Sequence, residues 1–203
     1  MEAQNRKNYA GEIISDYSAL ISDAENLINN ITQHPKYSFG QLFNEVERNG
    51  NKEYHRNDII WQDIYNTWDK NAYEELVKPE SEQRKKNEVK GLYIFYEDNK
   101  PAYVGISRTI LKRMKNHFRG TTHFEATLVY LMLRYEHDEK HGLYTGERKD
   151  FPRFETHRVS KQQEMIDTWK ISIIPELDNY KMYFFEIYLA CHLGTYWNSF
   201  ETH

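Results

Sequence analysis

Two tyrosines, an arginine and a histidine occur at spacings that could bring them into one small polar site. Tyr93 and Tyr103 lie ten positions apart, and Arg113 and His117 follow them, four residues from each other. A guanidinium group binds phosphate oxygens bidentately, and a phenol or an imidazole can accept a proton from water. With Lys112 beside them, these residue types suit the hydrolysis of a phosphodiester without a covalent intermediate.

The elements expected to position these side chains are a hairpin and a helix. Residues 92–96 and 102–106 are rich in tyrosine and β-branched types, and the turn-forming residues between them predict a β-hairpin. The segment that follows has apolar residues at helical spacing, with Ser107 as a candidate N-cap and Gly120 at the expected end. Residues four apart project from one helix face, so the arginine and the histidine should both face the hairpin tyrosines.

These residues resemble the signature of the GIY-YIG nuclease family. Its two halves are matched by Gly91-Leu92-Tyr93 and Tyr103-Val104-Gly105. The family's spacing continues through Gly105, Ser107, Leu111, Arg113 and His117. One departure, leucine for isoleucine at position 92, is conservative. The resemblance covers about residues 90–200 and implies an α+β fold, an α/β sandwich in which helices flank a small three-stranded antiparallel sheet.

One acidic residue stands alone in an apolar run near the end of the sequence. Residues 182–191 read MYFFEIYLAC, and Glu186 is the only charge among them. An isolated buried carboxylate is costly, so a metal, a partner or water must satisfy it. In the family that the chain resembles, a glutamate on such a helix binds the single divalent metal and an asparagine twelve residues later completes the site. The resemblance therefore implies Glu186 and Asn198 as catalytic residues, with Glu186 holding Mg²⁺ or Mn²⁺.

The resemblance also implies an activity, the divalent-metal-dependent hydrolysis of DNA phosphodiester bonds by an endonuclease. Arg113 would hold the phosphate where charge develops in the transition state, and Tyr103 would orient water or substrate. Tyr93 is the preferred general base, although a free phenol titrates near about pH 10 and needs help from His117 or Lys112. At this point either tyrosine could be the base.

Basic residues are concentrated around the predicted helix. The formal net charge is −4, yet residues 81–120 contain ten basic residues and four acidic ones. A local basic face can bind DNA with an affinity that falls as salt rises. The alternative is an ordinary solvated surface. The candidate DNA contacts are Arg108, Lys112, Lys115 and Arg119.

Composition favours an intracellular protein. A chain of 203 residues can hold one large domain or two small ones. Cys191 is the only cysteine, which excludes an intramolecular disulfide and fits a reducing compartment. The N-terminus lacks the apolar core of a signal peptide, and no segment reaches transmembrane length. We therefore expect a cytoplasmic location.

The first part of the chain is expected to be helical and separate from the nuclease domain. Apolar residues recur at helical spacing in three segments, residues 9–31, 39–46 and about 57–77. Such stripes usually pack in a core, and a direct role in reading DNA is the less frequent alternative. A charged stretch around Pro79 predicts the boundary, with a helical region over 1–80 and the nuclease domain over 81–203.

The nuclease domain is predicted to contain an insertion at about residues 121–165. Its beginning, 123–135, has helical spacing, whereas 141–160 is polar, contains glycine and proline, and predicts a long loop over the DNA. The WKISII run at 169–174 alternates and predicts the third strand.

Three functions stay open at this stage. The chain leaves no room after the core for a detached DNA-binding domain, so a stand-alone nuclease of restriction or defence type is preferred. The alternatives are a structure-specific repair or mobile-element nuclease and a catalytically silent DNA-binding protein. If the substrate is duplex DNA, cutting two antiparallel strands favours a homodimer, at least on DNA.

Overall fold

A computed structural model of the protein describes residues 7–9, 11, 14, 16–49, 51–66 and 88–200. Their helices and strands are α1 (Tyr17–Asn30), β1 (Tyr37–Ser38), α2 (Phe39–Leu42), β2 (Phe43–Arg48), β3 (Asn51–Arg56), α3 (Asp58–Asn66), β4 (Gly91–Glu97), β5 (Lys100–Ser107), α4 (Ile110–Arg119), α5 (Thr127–His141), α6 (Pro152–Thr168), β6 (Lys170–Pro175) and α7 (Asn179–Leu193). Short 3₁₀ turns lie at Ile31–Gln33 and Arg148–Asp150. Within these residues, every helix is too short or too polar to cross a bilayer.

The central element is an antiparallel sheet with the strand order β1-β6-β4-β5. In the middle of β4, Tyr93 lies opposite Gly105 of β5 on one side and Ile173 of β6 on the other. The predicted hairpin and third strand are therefore confirmed, and so is the α+β class. The sheet has one strand more than predicted, because the two residues of β1 pair with the beginning of β6.

Alternation along the strands divides the core between the two faces of the sheet. Phe95 of β4 and the neighbouring Trp169 lie in the cluster beneath α4 and α6. Leu92 and Ile94 point to the opposite face, where α1 and α7 cover them. Successive residues of a strand face opposite sides, so a helix is needed on each face. The helices α4 and α7, which carry the candidate site residues, consequently lie on opposite sides of one sheet.

The first glycine of the signature is required by strand pairing. Gly91 has a φ of +152°, and a Cβ added there would lie 2.7 Å from the backbone nitrogen of Glu176. Glycine alone combines this φ with such a close backbone approach. We conclude that Gly91 serves the junction of β4 and β6.

The predicted helix over 39–46 is wrong, because α2 ends at Leu42 and a β-hairpin follows it. Phe39, Leu42 and Phe43 produce the helical spacing, but they are buried across a helix-to-strand junction. Beyond Phe43, the residues of β2 are exposed, so no apolar stripe continues. The turn starts at Asn49, whose φ of +51° is typical of asparagine in tight hairpins.

Residues before the predicted domain boundary contribute to the core around the sheet. Phe39 and Trp61 are buried in the same cluster as Tyr93, and the indole Nε1 of Trp61 donates a hydrogen bond of 2.8 Å to the Leu42 carbonyl oxygen. The N-terminal segments therefore pack on the sheet as an integral layer. The predicted boundary near Pro79 and the predicted end of the third helix lie outside the described residues.

The long loop predicted over 141–160 is wrong in its second half. The helix α6 begins at Pro152, a residue whose fixed φ suits the first turn of a helix. Its buried side chains are few, Phe154, Gln162 and Met165. The apolar stripe is thus too narrow to stand out in a polar sequence. The predicted helix at 123–135 is confirmed as α5, which continues to His141.

Candidate active site

A tyrosine hydroxyl on β4 lies between an imidazole and a guanidinium group from α4. The Tyr93 hydroxyl oxygen is 2.8 Å from Nε2 of His117, and Nε of Arg113 donates to the same oxygen at 3.4 Å. The predicted face is therefore formed as expected from helical spacing. In the His117 tautomer whose Nε2 carries no proton, the phenol donates to the imidazole while it accepts from Arg113. The geometry is that of a short proton path from Tyr93 to the imidazole.

Burial keeps both members of this pair uncharged. Tyr93 is 1% exposed and His117 is fully buried. Burial raises the pKa of Tyr93 well above 10, and the nearby Tyr103 adds to this, while Arg113 opposes it. Burial and the charge of Arg113 hold the pKa of His117 well below 6.5. Among the described residues Nδ1 of His117 has no hydrogen-bond partner. No second hydrogen bond therefore offsets the cost of charging the buried imidazole.

The second tyrosine and the second signature glycine shape the space beside Tyr93. The rings of Tyr93 and Tyr103 have centroids 6.1 Å apart, and Tyr103 is partly exposed where the site opens to solvent. Burial raises the pKa of Tyr103, and Arg113 opposes that shift. A Cβ on Gly105 would lie 2.5 Å from the Tyr93 hydroxyl oxygen and 2.8 Å from Cε1 of Tyr103. The absence of a side chain at Gly105 is therefore what allows the two phenols to sit together.

Replacing Gly105 by alanine is expected to displace both phenols. The added methyl group overlaps a fully buried ring that cannot swing aside, so we expect a loss of about 1–3 kcal/mol in the free energy of unfolding. The Tyr93–His117 hydrogen bond should lengthen, so any catalytic rate that depends on this pair should fall by more than the loss of folded protein explains. Ala substitution of Gly40, where a Cβ meets nothing within 4 Å, is the control. Comparable activity in the two variants would contradict this assignment.

The lone acidic residue of the apolar run lies at the border of the opposite layer. Glu186 is half-buried on α7, between the buried Phe185 and the exposed Ile187. Burial raises the pKa of its carboxyl group, and a hydrogen bond with the backbone of Ile106 opposes this. Its negative charge also contributes to the raised pKa values of Tyr93 and Tyr103.

The donor set fits a metal that is bound largely by substrate and water. Among the described residues no three His, Cys, Asp or Glu side chains form a metal-binding group, and no cation pairs with Glu186. Mg²⁺ commonly uses one or two carboxylates together with phosphate oxygens and water. A half-buried carboxylate without a cationic partner matches that pattern. Glu186 is therefore the residue that would hold the ion.

The side chain of Asn198 binds the backbone of the edge strand β5. Oδ1 of Asn198 accepts from the Val104 backbone nitrogen and Nδ2 donates to the Val104 carbonyl oxygen, both at 2.8 Å. The hydroxyl of Thr195 donates to the same Oδ1 at 2.7 Å. Asn198 thereby pairs with β5 as a neighbouring strand would, and it fixes the strand next to Tyr103.

The predicted basic residues are not brought together with the tyrosines. The Lys112 side chain is exposed, and its helix position is turned by about 100° from Arg113, so it does not reach Tyr93. Arg108 is exposed as well. Lys115 lies 5.7 Å from the ring centroid of Phe43, and the Arg119 guanidinium stacks on Tyr54 and donates to its hydroxyl. The last two residues thus contact the N-terminal hairpin.

Two residues of the insertion support the site and were missed in the sequence. The buried amide of Gln162 donates to the carbonyl oxygen of Gly120 at 2.9 Å and to that of His117 at 3.3 Å, so it caps the end of α4. Arg148 lies near Arg113. Burial lowers the pKa of Arg148, Tyr130 opposes this shift, and the charge of Arg113 adds to it. No local pattern identifies either residue, because both contacts join segments far apart in sequence.

Comparison with known proteins identifies a family. The family model described as the GIY-YIG catalytic domain matches residues 89–190, half of the chain. The match includes both tyrosines, the arginine, the histidine and Glu186, and it ends before Asn198. Comparisons with curated proteins and with solved structures gave no match.

Proposed function

Because the chain belongs to the GIY-YIG nuclease family, we propose that it is a divalent-metal-dependent endonuclease that hydrolyses DNA phosphodiester bonds. The observation that carries the proposal is the buried Tyr93–His117 hydrogen bond with Arg113 on the same phenol oxygen. A hydroxyl held between an acceptor and a permanent cation can release its proton more readily than its burial alone would allow. Together with Glu186, such a group suits the activation of water for attack on phosphorus.

Tyr93 is the proposed general base. Its proton passes to Nε2 of His117 as the phenol oxygen takes a proton from the attacking water, so the phenol is regenerated and the imidazole becomes a cation. The resulting hydroxide forms the new bond to phosphorus, and the bond to the leaving oxygen breaks. The leaving alkoxide takes a proton from solvent, and His117 returns its proton to solvent through Tyr93. Among the described residues Tyr103 makes no hydrogen bond with an imidazole, and its ring centroid lies 6.0 Å from that of His117. This favours Tyr93 as the base and leaves Tyr103 to orient water or substrate.

Arg113 and Glu186 would stabilise the charge that develops on the phosphate. The Arg113 guanidinium is anchored by the Tyr93 hydroxyl and by the Glu125 carbonyl oxygen, 3.4 Å from Nη1, and it retains donors for phosphate oxygens. A divalent metal held by Glu186 would supply a positive charge to the phosphate and the leaving oxygen. The two groups approach the substrate from opposite layers of the fold.

Replacing Arg113 by alanine should lower the cleavage rate by about a hundredfold to a thousandfold, as expected for one preorganised donor. DNA affinity should fall much less, because the exposed basic residues remain. Alanine substitution of the exposed Arg108 is the matched control and should affect binding more than rate. Single-turnover rates and dissociation constants measured on the same duplex separate the two effects. A deficit of Arg113→Ala confined to affinity would make it a phosphate-positioning residue.

The preferred biological setting is a restriction or defence nuclease that cuts duplex DNA. The N-terminal hairpin and the insertion flank α4 and contact it, so they are suited to substrate contacts beyond the reacting phosphate. With one set of catalytic residues per chain, cutting both strands favours a homodimer on DNA. Repair or mobile-element nucleases, which would act on branched or single-stranded DNA, are the alternative setting.

A cleavage assay with the full chain tests the function. Plasmid, single-stranded and branched DNA are incubated with Mg²⁺, with Mn²⁺ and with a chelator, and products are mapped on sequencing gels. We expect metal-dependent internal cuts, with double-strand breaks in the plasmid. Binding without cleavage of any substrate would indicate a silent DNA-binding protein and would overturn the proposal.

A further inference from the structure

A second guanidinium group lies beside the arginine of the candidate site, and both hold the same loop. Nη1 of Arg113 donates to the Glu125 carbonyl oxygen at 3.4 Å, and Nη2 of Arg148 donates to the His123 carbonyl oxygen at 2.6 Å. The two acceptors are two residues apart, a distance that an extended chain spans in at most about 7 Å. The two cations therefore face one short stretch of backbone, although they are 35 positions apart in the sequence.

No carboxylate neutralises this pair among the described residues. The nearest acid in the loop, Glu125, has its carboxylate engaged by the backbone nitrogens of Thr121 and Thr122, at 3.1 and 3.3 Å. Neither Arg113 nor Arg148 has an ion pair with a described residue. Two nearby guanidinium groups repel each other, so an anion between or beside them would lower the electrostatic energy of the fold.

Other arginines of the same layer show the usual alternative. Arg134 pairs with Asp138 at 2.7 Å, and Arg153 lies 3.8 Å from Glu136. Arg148 instead rests on an aromatic ring, with its guanidinium 4.3 Å from the Tyr130 centroid, and its Nε is buried without a partner in the described chain. The Tyr130 ring and the His123 carbonyl hold Arg148 in place without neutralising its charge. Such a cation is preorganised for an anionic ligand.

The loop also exposes an aromatic ring next to this cation. Phe124 is 71% exposed, although its centroid lies 5.6 Å from the Arg148 guanidinium. Exposed aromatic rings beside basic groups are typical of surfaces that hold single nucleic-acid strands, where bases can stack. A polynucleotide strand would meet the cation with a phosphate and the ring with a sugar or base. Inorganic phosphate would use the cation alone.

We propose that Arg148 binds the phosphate that neighbours the scissile phosphate in the substrate strand, an inference that rests on the nuclease function proposed above. Arg113 then holds the reacting phosphate and Arg148 sets the register of the strand across the site. Arg148 belongs to the insertion, so this contact comes from the part of the chain that is added to the hairpin and α4.

The test compares the salt dependence of DNA binding by the full chain. Dissociation constants for a duplex of about 20 base pairs are measured in the presence of a chelator, at salt concentrations from about 50 to about 200 mM. Over this range the loss of affinity reports the number of phosphate contacts. Arg148→Gln should reduce the slope of log affinity against log salt by about 0.9, the value for one phosphate contact. The neighbouring Lys149, exposed and paired with Glu147 at 2.8 Å, provides the control Lys149→Gln, which should change the slope clearly less. An unchanged slope for Arg148→Gln, or an equal loss for Lys149→Gln, overturns the inference.

Two further measurements keep the test independent of variant folding. Arg148→Lys retains the charge and should keep most of the slope. With the wild-type protein and a mapped cut site, an uncharged methylphosphonate placed directly beside the scissile phosphate should slow single-turnover cleavage at least tenfold. If a methylphosphonate on either side of the scissile phosphate left the single-turnover rate unchanged, the inference would be overturned and the nuclease function would stand. A wild type that neither binds nor cleaves DNA would overturn both.

Discussion

Replacing Glu186 by glutamine is expected to abolish cleavage while DNA binding persists. The amide has nearly the same size as the carboxyl group, so it opens no cavity between α7 and Ile106. It lacks the negative charge that a divalent cation requires, and no group of three or more described His, Cys, Asp or Glu side chains offers another metal site. We expect a loss of at least about three orders of magnitude in rate, because the charge that stabilises the leaving oxygen is removed.

A binding measurement distinguishes this metal role from general damage. In a chelator, Glu186→Gln should bind duplex DNA as tightly as the wild type or more tightly, because the unpaired carboxylate repels phosphate. Mg²⁺ should strengthen DNA binding by the wild type and leave the variant unaffected. The control Glu155→Gln removes an exposed carboxylate from α6 and should be fully active. Normal magnesium-dependent cleavage by Glu186→Gln would eliminate Glu186 as the metal ligand.

Replacing Tyr93 by phenylalanine is expected to give the second largest loss, about 10²-fold to 10⁴-fold in the cleavage rate, the range for removal of a positioned proton acceptor. The substitution deletes only the oxygen that joins His117 and Arg113. It leaves the buried imidazole without its hydrogen bond, so the free energy of unfolding should also fall by about 1–3 kcal/mol. DNA affinity should be unchanged, since Tyr93 is too deeply buried to contact the outer phosphates.

Tyr96 provides the matched control for Tyr93. It is also a buried tyrosine of β4, 3% exposed, but it lies in the cluster on the other face of the sheet. Tyr96→Phe should change thermal stability to a similar extent without a matching loss of rate. If both variants kept wild-type rates, the proton path from Tyr93 to His117 would play no part in catalysis, and Tyr103 would become the candidate base.

Local periodicity accounts for what could be predicted of the site. Tyr93, Tyr103, Arg113 and His117 are placed by strand alternation and by the four-residue spacing of a helix, and both rules act over a few neighbouring residues. The hairpin and the helix behind it are consequently present where the sequence predicts them. Glu186 was found by the same local logic, because one charge in an apolar run stands out without any knowledge of the fold.

Long-range packing determined the remaining features. Phe39, Leu42 and Phe43 have helical spacing, yet burial against the nuclease core places them at a helix-to-strand junction instead. The polar insertion predicts a loop, but Gln162 and a few apolar neighbours are enough to hold α6 against α4. Secondary-structure propensities differ by only about 1 kcal/mol or less per residue, so contacts between distant segments can override them.

The same reason explains two contacts that emerged only from the fold. Asn198 pairs with the edge of β5 across 94 positions of sequence, and Arg148 meets the loop that also anchors Arg113. Neither contact leaves a periodic trace, because each depends on where two separately formed elements come to rest. The residues that surround the Tyr93 hydroxyl could thus be predicted from the sequence. The shape of the site around that chemistry arises only when α4, α6, α7 and the sheet assemble.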